Sequence, residues 1–121
     1  MSAADELRTA AAKLRALAEA STPGNWWAEE LPPNEHHKHP AHWVKTEYED
    51  GPSLISSQVI ADCPWKQADA AYIATMHPGV GKALADWLDY EADLMGPGSE
   101  RRGRTNHPLA LARLINTGNP T

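Results

Sequence analysis

Prolines and glycines divide this chain of 121 residues into short segments, and this limits the length of every helix and strand. There are 10 prolines and 8 glycines. Many of them cluster at positions 21–24, 32–33, 49–52 and 96–106, mostly together with polar residues. No apolar run between them approaches the roughly 20 residues of a membrane span. The pattern predicts a small domain of short elements.

The first segment predicts an amphipathic helix. Ser2 and Asp5 have the spacing of a capping box. Apolar residues then recur every three or four positions: Leu7, Ala10, Ala11, Leu14, Leu17 and Ala18. Charges of both signs occupy the remaining positions, which is typical of a helix with one buried face. We expect this helix to end at the breakers of residues 21–24.

Residues 25–62 predict a small antiparallel sheet. NWWAEEL is a candidate first strand that ends at two prolines. HWVKTEYE alternates, with Trp43, Lys45 and Glu47 on one face. SLISSQVIADC is β-branched and mostly uncharged. The turn signal EDGP between the last two segments predicts a hairpin.

Two consecutive helices are predicted over residues 64–95. Asp62 or Cys63 is expected to cap the first, with Pro64 at its first position. Its buried face is predicted to include Ala68, Ala71, Tyr72, Ile73 and Met76. The second helix starts at His77-Pro78, and its predicted stripe is Val80, Leu84, Trp87, Leu88, Glu91 and Met95, in which Glu91 is the polar exception.

Tyr72 and His77, in the stretch ADAAYIATMHPGV, have the chemistry of an acid–base pair. They are five positions apart, and Pro78 turns the chain just before itself. This spacing does not bring their polar ends together, and a general base needs both a proton within reach and a group that orients it. We therefore predict a joint between helices, with a core tyrosine and a capping histidine.

The predicted fold class is α+β: a small antiparallel sheet of two or three strands packed against the N-terminal helix and the consecutive helix pair. Residues 1–95 are expected to form one domain, with a histidine-rich loop inserted at 32–42. Residues 96–106, with Arg101, Arg102 and Arg104, read as a flexible linker. An extra C-terminal helix over 107–118 is predicted to pack on the same domain or on a neighbouring subunit.

The histidine-rich loop NEHHKHPAHW suggests metal chemistry. His36, His39 and His42 recur every third residue, and imidazoles are ligands for zinc or nickel. Structural zinc sites usually draw ligands from two separate segments, and only Cys63 or His77 is left to supply the second. The alternative is a solvated loop between proline breakers.

Composition narrows the function further. The net charge is -5 and the pI is near 5.6, which disfavours a nucleic-acid-binding role. The single cysteine, Cys63, allows no internal disulfide, and the N-terminus lacks a signal-peptide pattern, so we expect a cytoplasmic protein. There is no nucleophile elbow, phosphate loop or paired-carboxylate motif, so no enzyme is predicted. With five tryptophans and no phenylalanine, Trp26, Trp27 and Trp43 are candidate contact residues, together with the final helix.

Two stretches carry a family resemblance: ELRTAAAKLRALAEASTPGNWW and VIADCPWKQADAAYIATMHPGVGKALADWLDYEA. A helix ending in T-P-G-x-W, then a strand, then A-D-A-x-Y-I-A before a proline and a Leu-rich helix, resembles the Ead/Ea-type family of small phage and prophage proteins. The matching residues are Thr22, Pro23, Gly24, Trp26, Ala68, Asp69, Ala70, Tyr72, Ile73, Ala74, Pro78, Leu84 and Leu88.

The resemblance covers roughly half of the chain and implies a non-enzymatic accessory protein that acts in the cytoplasm of a bacterial host. It implies a protein partner and carries over no catalytic residue. The chain departs from the pattern in its histidine-rich segment and in residues 96–121. A homo-oligomer that binds a host or phage protein is the first functional hypothesis, and a metal- or small-ligand-binding protein that uses the histidine loop is the alternative.

Overall fold

The computed structural model describes residues 2–35, 38, 40–49, 51–52, 54–63, 66–95 and 106–118. Its elements are α1 (Ala3–Ala20), β1 (Trp27–Leu31), β2 (Ala41–Glu49), β3 (Ile55–Asp62), α2 (Gln67–Thr75), α3 (Pro78–Asp93) and α4 (Asn106–Thr117). The strands form an antiparallel sheet in the order β1-β2-β3. The predicted α+β class is confirmed, including the N-terminal and C-terminal helices.

The chain divides into two compact units. Residues up to Ala20, with those from Gly81 onward, form what we call the helical unit. Ser21–Val80 form the sheet unit, which contains the three strands and α2. In the helical unit, α1 finds its core partners on α3 and α4. The expected packing of α1 and α3 against the sheet stays a prediction.

The helical unit has a core made largely of alanine. Its fully buried residues are Leu7, Ala10 and Ala11 of α1, Ala85, Leu88 and Ala92 of α3, and Ala112 of α4. Alanine leaves little side chain between two helices, so their backbones can approach closely. A core of this kind has little room for a larger side chain.

Ion pairs set the direction of α3 against α1. Arg15 contacts Asp86 at 2.9 Å and Asp89 at 2.5 Å, and Arg8 contacts Asp93 at 3.5 Å. Because the later arginine meets the earlier aspartates, the two helices run antiparallel. Asp86 and Asp89 also raise the pKa of Arg15. All these side chains are at least one third exposed, so we assign them to orientation more than to stability.

Helix α4 is fastened to α1 within the same chain. Arg113 contacts the Glu6 carboxylate with Nε at 3.2 Å and Nη2 at 3.3 Å. Asn116 donates to the Glu6 carbonyl at 3.0 Å, and Lys13 donates to the Ile115 carbonyl at 2.8 Å. A cation on a carbonyl of the last turn is favoured by the helix dipole. These contacts place α4 on α1 of the same chain, and packing on a neighbouring subunit stays a prediction.

The predicted capping box at the start of α1 is confirmed. The Asp5 backbone N–H donates to Ser2 Oγ at 3.1 Å, and the Ser2 N–H donates to Asp5 Oδ2 at 3.3 Å. Hydrogen bonding by the Ser2 side chain and backbone lowers the pKa of Asp5, which keeps the carboxylate charged at the positive end of the helix dipole.

Helix α2 differs from its prediction in both start and orientation. It begins at Gln67, and Lys66 precedes it without a side-chain cap. The predicted first position, Pro64, lies outside the described residues. The buried residues are Ala70 and Ala74. Tyr72 is 69% exposed, so the predicted core tyrosine is wrong. The predicted Ala68, Ala71 and Met76 are exposed as well, whereas Ile73 does pack against the core.

The reason is the composition of α2. Alanines occupy several sides of this helix, so its apolar pattern does not single out one face. The sheet takes the side on which alanines lie four residues apart, and the larger tyrosine points outward. Helix α3 shows the same preference, since Ala85 and Ala92 are buried beside Leu88 while Trp87 is 38% exposed. Glu91, the predicted exception in the stripe, is buried.

Gly24 lies directly against the central strand. Its φ is +99°, and a Cβ atom at this position would collide with the Glu47 carbonyl and with Thr46 Oγ1. Thr46 Oγ1 donates to the Pro23 carbonyl at 2.7 Å, and Trp26 Nε1 donates to the Thr22 carbonyl at 3.1 Å. The turn out of residues 21–24 is thereby held on β2.

Replacing Gly24 by alanine should destabilise the protein more than replacing Gly51. Gly51 also has a positive φ, +95°, but a Cβ there meets nothing within 4 Å. Gly51→Ala therefore reports backbone strain alone, about 1 kcal/mol. Gly24→Ala adds the collision with β2, for a loss of roughly 2–4 kcal/mol. Urea unfolding of both variants measures the difference, and equal losses would contradict the close approach.

A larger side chain in the alanine core of the helical unit should destabilise the protein. Ala11→Leu introduces bulk at a position that is 0% exposed and should cost about 1–3 kcal/mol of unfolding free energy. Ala12→Leu makes the same chemical change at the next, exposed position of the same helix, and should stay within about 0.5 kcal/mol of the parent. Denaturant midpoints compare the two, and an equally stable Ala11→Leu would refute tight packing there.

Candidate interaction surface

Strand β2 carries different side chains on its two faces. His42, Val44 and Thr46 are buried, and they alternate with Trp43, Lys45 and Glu47, which are less buried or exposed. Alternation is a consequence of the strand repeat of two residues. Because α2 contacts β1 and β2 and its Ala70 and Ala74 cluster with Val44, the His42–Val44–Thr46 face is the inner one. The face predicted from the sequence for Trp43, Lys45 and Glu47 is confirmed.

Pairing with β1 brings two tryptophans together on the outer face. Trp27 lies opposite Lys45, and Glu29 lies opposite Trp43. Lys45 Nζ contacts Glu29 Oε2 at 3.2 Å along one diagonal of this group of four. Trp27 and Trp43 occupy the other diagonal, a separation of roughly 7–8 Å that aromatic side chains can span. We call these four residues the tryptophan face.

The apolar surface continues from the tryptophan face onto β3. Val59 lies opposite Lys45, and Ile55 lies opposite Glu49, which places both on the outer face. Trp27 is 36% exposed, Val59 is 42% exposed and Ile55 is 73% exposed. Trp27 and Val59 flank Lys45 on this face, and Ile55 lies farther along β3 with Ser57 between it and Val59. Exposed apolar side chains on one face are typical of a binding surface.

Trp26 has a different environment from Trp27 and Trp43. It is partly buried and packs against the cluster of Val44, Ala70 and Ala74. Its indole N–H is already bonded to the Thr22 carbonyl. Among the three tryptophans predicted as contacts, the structure therefore brings Trp27 and Trp43 together on one surface and makes Trp26 part of the fold.

Sequence analysis missed the exposure of Ile55 and Val59. Their signal was present, because Ile55, Ser57 and Val59 alternate along the third strand segment. The pairing register that sets them beside Glu49 and Lys45 was not available from one sequence. The exposed tyrosine of α2 was missed for the reason given above.

The histidine prediction falls mostly on residues outside the described part of the chain. His36 and His39 lie there, as do Arg101, Arg102 and Arg104. His42 is described and is 9% exposed on the inner face of β2. Its Nδ1 is buried and has no hydrogen-bond partner among the described residues. The described ranges contain no group of three His, Cys, Asp or Glu residues arranged for a metal ion.

The chain around Tyr72 and His77 is the predicted joint. The Gly79 N–H donates to His77 Nδ1 at 3.1 Å, and the Val80 N–H donates to the His77 carbonyl at 2.9 Å. These bonds are those of a helix N-cap, so the predicted capping role of His77 is confirmed. Nδ1 is engaged with the backbone of α3.

Comparison with protein-family models, with curated proteins and with solved structures found no match to this chain. The likeness to the Ead/Ea-type family thus stays a prediction from sequence motifs. Within the described ranges, no helix has the length and apolar character needed to cross a membrane.

Proposed function

We propose that this chain is a non-enzymatic accessory protein of phage or prophage type that binds a protein partner in the bacterial cytoplasm. Its contact surface is the tryptophan face. The observation that carries the proposal is the placement of Trp27 and Trp43 on one outer face, with the charges between them already paired as Lys45 and Glu29.

The physical case rests on rigidity and neutralised charge. Tryptophans are enriched among residues that dominate binding energy, because they bury a large area at a small entropic cost. Here both tryptophans stand on paired strands, so little side-chain or backbone ordering remains to be done on binding. The ion pair leaves no unpaired charge at the centre of the group. A partner with an apolar or aromatic patch and a polar rim fits such a surface.

The phage or prophage setting is supported by the residues of the resemblance. Gly24 turns the chain against β2, and Trp26 anchors that turn in the core. Pro78 is the first residue of α3, and Leu88 lies in the helical core. These residues have roles in the fold, so they support a shared shape. The cytoplasmic location rests on the single cysteine, and the partner on the resemblance.

Removal of Trp27 should weaken partner capture while leaving the fold intact. Trp27→Thr keeps a good strand former at an exposed position. Tagged wild-type and variant chains are expressed in a phage-bearing bacterial host, and co-purified proteins are quantified. A protein captured by the wild type should then be titrated in purified form, with an expected loss of affinity of about tenfold or more.

Trp87→Gln is the matched control. It removes an indole of similar exposure, 38% against 36%, from the helical unit. The captured protein should bind the Trp87→Gln variant as tightly as it binds the wild type. Equal binding by Trp27→Thr and wild type would reject the tryptophan face as the contact surface, and so would a loss confined to Trp87→Gln.

The alternative function, metal or small-ligand binding through the histidine loop, has one observation in its favour. The buried Nδ1 of His42 has no hydrogen-bond partner in the described part of the chain, and imidazole nitrogens are common metal ligands. Zinc or nickel held by His36, His39 and His42 would satisfy it.

Native mass spectrometry before and after a chelator tests this alternative. If it is correct, one zinc or nickel ion per chain is retained and is lost in His36→Gln and His39→Gln. His107→Gln, at the exposed start of α4, should retain the ion. A metal-free wild-type chain whose melting temperature is unchanged by added zinc or nickel would exclude it.

A further inference from the structure

The two edges of the sheet are built differently. β1 has five residues, includes Glu29 and Glu30, and is followed in sequence by two prolines. Charges, prolines and shortness are the means by which sheet edges avoid pairing with other chains. β3 has eight residues, and no charged residue occurs from Leu54 to Ala61. Over residues 54–61 the β3 edge has neither the charges nor the prolines that protect the β1 edge.

The β3 edge is also regular and accessible over its first part. Within the described residues β3 pairs with β2 alone. Residues 55–59 pair with β2 without interruption, and the register shifts only beyond Val59. Ile55 is 73% exposed, Val59 is 42% exposed, and Ser57 between them is exposed. This segment offers five residues of strand to another strand.

We propose that β3 pairs antiparallel with β3 of a second copy of this chain, with Ser57 opposite Ser57 of the partner subunit. In that register, Ile55 lies opposite Val59 of the partner subunit, and the twofold axis repeats the contact. Both exposed apolar side chains thereby meet each other on the outer face, where cross-strand apolar pairs are stabilising.

A second copy fits this edge better than an unrelated strand for two reasons. The segment is complementary to itself in the antiparallel register, so no other sequence is needed to match its apolar residues. Each chain carries a net charge of -5, and the uncharged residues 54–61 are a place where two copies can meet without like charges in contact. The inference extends the proposed function by naming one partner, and it does not depend on what binds the tryptophan face.

The register within the monomer supplies clean test variants. Ile55 lies opposite Glu49, and Val59 lies opposite Lys45. Ile55→Lys therefore places a lysine opposite Glu49, and Val59→Glu places a second carboxylate beside Lys45, which already contacts Glu29. In the dimer, each places a charge against an apolar residue at two symmetric positions. Recovery of a dimer when the two variants are mixed shows that both monomers are folded.

The experiment is native mass spectrometry and sedimentation equilibrium on the full chain and its variants. The wild type should dimerise, and each single variant should weaken the dimer roughly tenfold. An equimolar mixture of Ile55→Lys and Val59→Glu should form a heterodimer tighter than either variant's homodimer. In the heterodimer the introduced lysine faces the introduced glutamate, and the unchanged Val59 faces the unchanged Ile55.

Tyr72→Lys is the matched control, since it adds a charge at an apolar residue of similar exposure, 69% against 73%, on α2. It should dimerise like the wild type. The pairing would be overturned if the wild type stays monomeric at about 100 µM, or if the single variants dimerise as well as the wild type. It would also be overturned if the mixture forms no heterodimer, or if Tyr72→Lys dissociates the dimer. Partner capture by Trp27→Thr is measured separately. If the chain is monomeric but its capture of a protein partner still depends on Trp27, the pairing of β3 is rejected and the proposed function stands.

Discussion

Strand β2 is hydrogen-bonded to β1 on one side and to β3 on the other, and the composition of both sheet faces depends on its register. A slip of one residue would turn Trp43 and Lys45 inward and expose Val44 and Thr46. Thr46 opposes such a slip, because it is fully buried and its hydroxyl is bonded to the Pro23 carbonyl. Gly24 allows this close approach, because a Cβ atom at its position would collide with Thr46 Oγ1 and the Glu47 carbonyl. The turn at residues 21–24 therefore helps to determine which side chains the sheet presents for binding.

Local signals were sufficient to predict much of the sheet unit. The alternation of HWVKTEYE assigned Trp43 and Lys45 to one face, and the EDGP turn predicted the hairpin between β2 and β3. The residues that lie opposite them on the adjacent strands could not be predicted from local signals. Trp27 meets Lys45 only because β1 pairs in one particular register, and that register follows from tertiary packing and not from either strand alone.

In α2 and α3 the spacing of apolar residues does not predict which face of the helix is buried. A stripe of leucines would have marked the buried face of α2, but alanines at several positions make its sides nearly equivalent. Packing then favours the side that lets the backbone approach the sheet, and Ala70 and Ala74 provide it. In α3 the same preference buries Ala85 and Ala92 and leaves Trp87 partly exposed. A prediction of the buried face that gives most weight to large apolar residues is therefore wrong where alanines make the close contact.

The pairing proposed for β3 has a geometric consequence for the tryptophan face. Opposite residues of antiparallel strands point to the same side, so both outer faces lie on one side of a continuous six-stranded sheet. With strands about 4.8 Å apart, the two β2 strands are about 14 Å apart and the two β1 strands about 24 Å. A partner long enough to span these distances contacts both tryptophan faces, and its second contact is intramolecular. Its apparent affinity then depends on the concentration of this chain, whereas the affinity of a short partner that reaches only one face does not.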